Sequence, residues 1–317
     1  LDHFIFFFFF DKVRGDFYWW TEIEDYTVIT AADCTGHGVP GAFMSLLGIS
    51  FLREIVMKEY ITHPGVILRR LRKEVVKALS QTGKEGTQKD GMDMSLLVIN
   101  HKEQTFAWAG ANNPLWIVRA DDHDDYDDMA SKIEVIKADK MPIGIYERMD
   151  KFQNHELELH NNDKLYMFSD GFPDQFGGPK GKKYKQKAFK RLIASTSHLS
   201  MVEQGAYLEQ ELKKWMQHDG EHFEQVDDIT VLGISLSIHV PCYPISPNLC
   251  LIAGQITCNL VLFVLSLINC FIVYNSYFNL QRRLEIREII LMKIGRSTLY
   301  GIMESKYFYQ IIKECHI

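Results

Sequence analysis

Cysteine is scarce over most of this 317-residue chain, because residues 1–238 contain only Cys34. A single cysteine excludes a disulfide framework, so this part of the chain is expected to fold in the cytoplasm. The five other cysteines lie after residue 238 and show neither a Cys-x-x-Cys pair nor the Cys/His spacing of a zinc site. They are expected to be apolar filler positions.

A surplus of basic residues is also absent. The formal net charge is -6 and the isoelectric point is about 6.1, which excludes a bulk nucleic-acid binder. Residues 1–238 hold 28 basic and 37 acidic side chains, a net charge of -9, whereas residues 239–317 hold 7 and 4, a net charge of +3. This change in charge predicts a domain boundary near residue 238.

Charged residues are missing altogether from residues 249–274. This segment exceeds the length of about 20 apolar residues that a transmembrane helix needs. A single C-terminal transmembrane helix is one interpretation, and the alternatives are a buried helix or a non-native, misread tail. Arg282, Arg283 and Arg287 follow the segment, so the positive-inside rule would place residues 1–238 outside the cytoplasm, against the cysteine distribution. The sequence leaves membrane attachment through 249–274 open.

Hydrophobic periodicity predicts alternating strands and helices through the first 238 residues. The predicted strands are 26–32, 94–99, 105–109, 115–119, 164–169 and 229–234. The predicted helices are 42–60, a segment after Pro64, 186–197 and 201–217. The five-Phe run at 6–10 is expected to be a buried strand, and residues 121–128, with six Asp, are expected to be a solvated loop.

Four acidic sites share one setting, at or near the end of an apolar strand. They are Asp16, Asp33, Asp170 and the pair Asp227 and Asp228. Carboxylates that converge at strand ends raise one another's pKa, and a divalent cation removes that repulsion. Oxygen ligands without His or Cys favour Mg²⁺ or Mn²⁺ over zinc, and two such ions are a common apparatus for phosphoryl hydrolysis. Each Asp taken alone is equally explained as a helix cap or turn former.

The segment Asp33-Cys-Thr-Gly-His-Gly-Val-Pro-Gly-Ala-Phe-Met-Ser45 resembles the signature of SpoIIE-like serine phosphatases. These enzymes are the bacterial branch of the metal-dependent PPM, or protein phosphatase 2C-like, family. Further motifs of the family match in order at 15–19, 90–93, 109–115, 141–144, 168–171, 174–178 and 227–231. The resemblance covers roughly residues 3–237 and does not extend into the tail.

The resemblance implies an α+β fold for residues 1–238, a four-layer α/β/β/α sandwich with two central antiparallel sheets. Residues 239–317 would be an atypical tail that carries the candidate transmembrane helix 249–274. A dinuclear Mn²⁺ or Mg²⁺ site, with two ions per domain, is expected at one end of the sandwich.

The resemblance also implies the site residues, one motif at a time. Asp33 would bridge both ions, and Cys34 would offer its backbone carbonyl to one of them. Asp16 would hold the second ion through water, while Asp170 and Asp227 would hold the first. Asp227 is preferred over Asp228 because the family motif ligates through its first residue.

His37 has two readings. As the histidine nearest to the expected site, it would protonate the leaving serine oxygen, which makes it a catalytic candidate beside Asp33. The alternative is a structural role in the turn between Gly36 and Gly38.

The resemblance implies hydrolysis of phosphoserine or phosphothreonine on a bacterial signalling protein by a metal-activated water. A phosphorylated anti-sigma-factor antagonist is the expected kind of substrate, and a homodimer is left open. No nucleic-acid partner is expected. The alternative is a non-catalytic signalling or binding module with the same fold, against which the presence of all four expected ligand Asp residues argues. The catalytic domain is expected in the cytoplasm, with membrane anchoring left open.

Overall fold

The computed structural model describes residues 1–8, 14–36, 38–83, 89–120, 128–147 and 149–237. Nearly the whole of the first 238 residues is therefore described, and the structure divides the chain at the same point, into Leu1–Ile238 and His239–Ile317. The candidate transmembrane helix 249–274, His37 and most of the Asp-rich segment lie outside the described residues, so the expectations for them stay predictions.

The described residues form fourteen strands, β1 to β14, and five α-helices, α1 to α5. In chain order the strands are Asp2–Phe8, Phe17–Ile23, Tyr26–Cys34, Met92–Asn100, Thr105–Ala111, Leu115–Val118, Glu134–Ile136, His155–Leu157, Lys164–Phe168, Phe176–Gly177, Lys182–Lys183, Gln217–His218, Glu221–His222 and Ile229–Ser235. The helices are Gly38–Leu52, Pro64–Ala78, Gly171–Asp174, Gln186–Ser195 and Met201–Met216. A π-helical segment, Arg53–Lys58, continues α1, and a 3₁₀ turn covers Met129–Lys132.

Ten of the strands form two five-stranded antiparallel sheets. Sheet I has the order β1-β14-β9-β6-β7, and sheet II has the order β2-β3-β4-β5-β8. In sheet I the last strand in sequence lies between β1 and β9, with Phe4 opposite Gly233 and Val231 opposite Phe168. The chain therefore returns to its own beginning to complete this sheet. The remaining strands form two short hairpins, β10-β11 and β12-β13.

Three apolar clusters define the layers of the domain. The central cluster lies between the sheets and joins side chains such as Ile29 and Leu97 of sheet II to Leu165 and Leu232 of sheet I. A second cluster packs α1 and α2 on the outer face of sheet II, and a third packs α4 and α5 on the outer face of sheet I. The expected α/β/β/α sandwich with two antiparallel sheets is confirmed.

The α1 segment begins earlier than predicted, at Gly38 rather than Ala42, because Pro40 fits the first turn of a helix. Gly38–Lys58 is the one helical stretch in the described part of the chain that is long and apolar enough to cross a membrane. Its mean hydropathy is 1.4, and about a third of it is buried. Met44, Leu52 and Ile55 of this stretch belong to the cluster on sheet II, so it packs as a helix of the domain.

Most of the other long elements agree closely with the periodicity, but the seven-residue strand β2 was not predicted. Strand β1 ends at Phe8, so it includes the first three residues of the Phe run, and Phe4 and Phe6 point into the cluster beneath α5. Helix α2 begins at Pro64, directly after His63. Strands β7 and β8 were not predicted, because three-residue strands are too short to show a periodic pattern.

Candidate active site

Carboxylates from both sheets converge at one end of the sandwich. In sheet II, Asp16 immediately precedes β2, while Asp33 lies near the end of β3, directly opposite Asp93 at the start of β4. In sheet I, Asp170 follows β9 and Asp227 precedes β14. Neighbouring antiparallel strands alternate in direction, so the end of one strand lies beside the start of the next. This is why acidic residues distant in sequence meet at a single edge.

Asp16 is the most deeply buried of the predicted ligands, with 3% of its surface exposed. The pKa of Asp16 is raised to about 8, chiefly by burial. The hydroxyls of Ser169 and Thr230 lower it in part, and the negative charges of Asp228 and Asp227 raise it. One carboxylate oxygen, Oδ2, is buried and has no hydrogen-bond partner among the described residues. An orphaned acidic oxygen of this kind is rare in a folded protein and calls for a ligand.

The charged form of the Asp33 carboxyl is also unfavourable. Burial raises the pKa of Asp33 well above its usual range, and Asp16, Asp170 and Asp227 raise it further by charge repulsion. The pKa of Asp170 is raised as well, by burial and then by Asp174 and Asp227, although its hydrogen bond with Asp33 and the charge of Lys183 lower it. These carboxyls are therefore electrostatically one cluster.

Asp93 is a further member of this cluster. Burial raises the pKa of Asp93 to about 6, and Asp170 adds to that rise. Asn112 donates a hydrogen bond from Nδ2 to Asp93 Oδ1 at 2.8 Å, which lowers the pKa in part. The sequence indicates Asp93 only weakly, as part of the motif at 90–93, because a strand-entry turn explains an Asp there equally well.

Glycines allow the backbone segments that carry Asp16 and Asp33 to touch. A Cβ on Gly15 would lie 2.7 Å from the Gly36 carbonyl oxygen, and a Cβ on Gly41 would overlap that same oxygen. Gly36 itself has φ +87°, a conformation that favours glycine. The N-terminal turn of α1 therefore packs directly on the loop that follows Asp33.

The main chain after Cys34 is held by Thr35. The Thr35 amide donates to the Gly91 carbonyl at 2.9 Å, and the Gly91 amide donates to Thr35 Oγ1 at 3.2 Å. Cys34 itself is buried at the end of β3, and burial raises the pKa of its thiol. A thiol held in its protonated form is a poor nucleophile, so the contribution predicted for this residue stays its backbone carbonyl.

Asp227 and Asp228 occupy different environments. Asp228 has 4% of its surface exposed and accepts a hydrogen bond from the Gly15 amide at 2.8 Å through Oδ2. Asp227 is exposed, and its charge raises the pKa of Asp16, Asp33 and Asp170. Asp228 therefore supports the Gly15-Asp16 backbone, and Asp227 as the metal ligand stays a prediction.

Gln175 is a supporting residue that lies in the motif at 174–178 but was given no role from the sequence. Its buried side chain donates from Nε2 to the Glu224 carbonyl at 2.8 Å and accepts from the Val226 amide at 3.4 Å. Gln175 thus ties the end of α3, which follows Asp170, to the segment that leads into Asp227. Only the three-dimensional structure brings these two segments together, so a sequence pattern had no means of showing this role.

The donor chemistry of the cluster fits a hard divalent cation, since carboxylate oxygens crowd together and one of them is orphaned. Among the residues that the structure describes, no group of three or more His, Cys, Asp or Glu side chains is arranged to hold a metal ion. A bound ion would therefore need main-chain oxygen or water among its ligands, as the prediction for Cys34 and Asp16 supposes.

Comparison with known proteins decides the family. Residues 23–237 match the family described as Stage II sporulation protein E (SpoIIE), which is more than half of the chain. The chain belongs to the SpoIIE family. Its domain is therefore a PPM-type serine/threonine phosphatase domain by family, and the resemblance of the segment 33–45 is confirmed. No curated protein sequence matches the chain.

Solved structures agree with this membership. The SiaA-PP2C domain of Pseudomonas aeruginosa is 27% identical with a TM-score of 0.62, over 74% of this chain and 86% of that one. The PP2C phosphatase domain of SpoIIE from Bacillus subtilis, with a fragment of its regulatory domain, is 19% identical with a TM-score of 0.56, over 76% and 63% of the two chains. The RsbU and RsbW domains of Rv1364c from Mycobacterium tuberculosis are 20% identical with a TM-score of 0.55, over 76% and 61%. The last two likenesses show the fold alone.

Proposed function

We propose that residues 1–238 form a Mn²⁺- or Mg²⁺-dependent protein serine/threonine phosphatase. The observation that carries the proposal is the cluster of acidic side chains at the shared end of the two sheets, with raised pKa values and an orphaned Asp16 oxygen. Crowded carboxyls without a compensating positive charge destabilise a fold, and such clusters are typical of functional sites.

In this proposal Asp33 would be a ligand shared by two divalent ions. Asp170 and Asp227 would hold one ion, Asp16 would hold the other, and the Cys34 carbonyl would serve as a main-chain ligand. When bound, such ions lower the pKa of water and offset the negative charge of a phosphoryl group.

The surrounding residues position these ligands. Thr35 and Gly91 fix the main chain after Cys34, while Asp228 fixes the Gly15 amide and so the entry into Asp16. Buried Gln175 links the segments that carry Asp170 and Asp227. The role of His37 as a proton donor to the leaving serine oxygen is part of the proposal.

The proposed substrate is a phosphorylated bacterial signalling protein, such as an anti-sigma-factor antagonist, in a pathway of sigma-factor regulation. Family membership supports this kind of partner, and SiaA, SpoIIE and RsbU domains are among the similar structures. The competing proposal is a non-catalytic signalling module with the same fold, and the crowded carboxylates count against it.

Hydrolysis of p-nitrophenyl phosphate by the full chain with added Mn²⁺ tests the function. Asp33→Asn should lower the rate at least about 100-fold, because it removes the charge of the shared ligand. Asp25→Asn, in the turn at the opposite end of the β2-β3 hairpin, is the matched control and should retain the rate. An inert wild-type chain that also fails to bind Mn²⁺ by calorimetry would instead support the non-catalytic module.

A further inference from the structure

A strongly basic hairpin lies beside the candidate active site. Residues 176–185, here called the rim hairpin, include strands β10 and β11 and contain four lysines and no acidic residue. The lysines are Lys180, Lys182, Lys183 and Lys185, and all four are exposed. Residues 1–238 as a whole carry a net charge of -9, so this local concentration of positive charge runs against the composition of the domain.

The rim hairpin reaches the carboxylate cluster through Lys183. Its Nζ forms an ion pair with Asp174 Oδ2 at 2.7 Å, and Asp174 is the last residue of α3, the short helix that starts directly after Asp170. Lys183 is close enough to lower the pKa of Asp170 by its charge. The Lys185 amide also donates to the Pro173 carbonyl at 2.7 Å, so the hairpin is joined to this helix at its base.

The hairpin is held rigidly by its apolar side. A Cβ on Gly177 would overlap the Trp215 carbonyl oxygen, and one on Gly178 would overlap the Trp215 ring. The Gly178 amide donates to that carbonyl at 2.8 Å, and Trp215 Nε1 donates to the Gln175 carbonyl at 3.1 Å. Tyr184 stacks edge-on against Trp215 with ring centroids 5.0 Å apart. A fixed backbone lowers the ordering entropy that a partner must overcome on binding.

Most of the hairpin's lysines form no ion pair with the described residues of the domain. Among the described residues, Lys183 is the hairpin lysine with an ion pair to an acidic side chain, while Lys180, Lys182 and Lys185 have none. In α4, by contrast, Lys187 and Arg191 both form ion pairs with Asp128, so their positive charge is compensated within the domain. Exposed Phe176, over whose ring Lys183 Nζ lies at 6.0 Å, adds an apolar contact beside the uncompensated lysines.

We propose that the rim hairpin is the docking surface for the phosphoprotein substrate and selects sequences with acidic residues flanking the phosphorylated serine or threonine. The inference rests on the proposed phosphatase function. Lysines at the edge of a site whose own ligands are negative attract an acidic segment, while the phosphoryl group itself enters the site. Charge complementarity of this kind acts on encounter and affinity more than on the chemical step.

The test compares two phosphoserine peptides of equal length with the full chain, one with Glu and one with Ala on both sides of the phosphoserine. The double substitution Lys180→Glu/Lys182→Glu should raise KM for the acidic peptide about tenfold, because two attractive contacts become repulsive, with kcat nearly unchanged. The KM for the neutral peptide and the hydrolysis of p-nitrophenyl phosphate should not change. The wild-type preference for the acidic peptide should also diminish as salt is raised, because exposed charges are screened.

Lys102→Glu/Lys77→Glu is the matched control, because both lysines lie outside the hairpin and the candidate site. An equal loss in this control, or an unchanged KM in the hairpin variant, would overturn the proposal. The proposal would also be overturned if the hairpin variant lost binding to anionic vesicles or to single-stranded RNA while its KM for the acidic peptide stayed unchanged. A wild-type chain inert towards p-nitrophenyl phosphate counts against the phosphatase function, and fluorescence anisotropy of the labelled acidic peptide then tests docking alone.

Discussion

The two sheets contribute carboxylates of different character to the same site. Sheet II supplies Asp16 and Asp33, which lie among close-packed glycine backbone and whose pKa values are raised first of all by burial. Sheet I supplies Asp227, which is exposed, and Asp170, whose pKa is also raised by burial although its side chain reaches solvent. Negative charge is therefore unfavourable chiefly on the sheet II side. This difference predicts that removing the charge of the deeply buried Asp16 changes folding stability as well as metal binding, whereas removing the charge of exposed Asp227 chiefly changes metal binding.

The largest expected effect concerns pH and Asp16. Its pKa rises from 3.8 in the unfolded chain to about 8 in the fold, so the folded chain holds this proton more tightly. Without metal, the free energy of unfolding should therefore fall as pH rises from about 4 to about 8 and level off above that range. Asp16→Asn should remove the part of this slope that Asp16 contributes, leaving that of Asp33, and stabilise the metal-free chain at pH 8 by a few kcal/mol, at about 1.4 kcal/mol per pKa unit.

Urea unfolding of the full chain with EDTA at several pH values measures this effect. Asp227→Asn is the matched control from the sheet I side and should change the slope much less, because that carboxyl is exposed. Equal slopes in both variants would show that the contrast between the two sides is wrong.

The next effect concerns Gln175, which supports the exposed side. Gln175→Leu leaves the Glu224 carbonyl and the Val226 amide without their side-chain partner, so the free energy of unfolding should fall by about 2 kcal/mol. Mn²⁺ affinity should fall as well, because Val226 precedes Asp227. Gln186→Leu, at the exposed start of α4, is the control. Destabilisation with unchanged Mn²⁺ affinity would mean that Gln175 supports the fold without supporting the site.

Gly41 tests the glycine contact on the buried side. Gly41→Ala places a methyl group against the Gly36 carbonyl oxygen, so the helix or the loop after Asp33 must shift. The expected loss of stability is about 1–3 kcal/mol, as for other overpacked positions, with a clear loss of Mn²⁺ affinity. Exposed Val39→Ala in the same helix should have little effect on either quantity. Normal affinity in Gly41→Ala would show that α1 does not constrain the site.

The smallest effect is expected at Asp228. Asp228→Asn keeps an oxygen that can accept from the Gly15 amide, so Mn²⁺ affinity should change less than threefold, whereas Asp228→Ala should lower it further. Isothermal titration with Mn²⁺ distinguishes the two variants. If Asp228→Asn abolished binding while Asp227→Asn did not, the assignment of Asp227 as the ligand would be reversed.

The sequence predicted the long elements of the fold well, because their hydrophobic periodicity reflects burial on sheet faces and helix faces. It also singled out Asp16, Asp33, Asp170 and the pair Asp227 and Asp228 as strand-end carboxylates, and the family resemblance favoured Asp227 over Asp228. It did not reveal that Asp228 accepts from Gly15, a contact across 213 positions. Contacts of this kind depend on which strands become neighbours, and β14 joins β1 only through the final closure of sheet I.

Crystals of the full chain soaked with Mn²⁺ at pH 8 give the most direct test that the shared end of the two sheets is a metal-dependent site. An anomalous difference map should show two peaks, both within ligand distance of Asp33, one beside Asp170 and Asp227 and the other on the side of Asp16. Absence of anomalous density at the cluster, while Mn²⁺ occupies another part of the domain, would contradict the assignment.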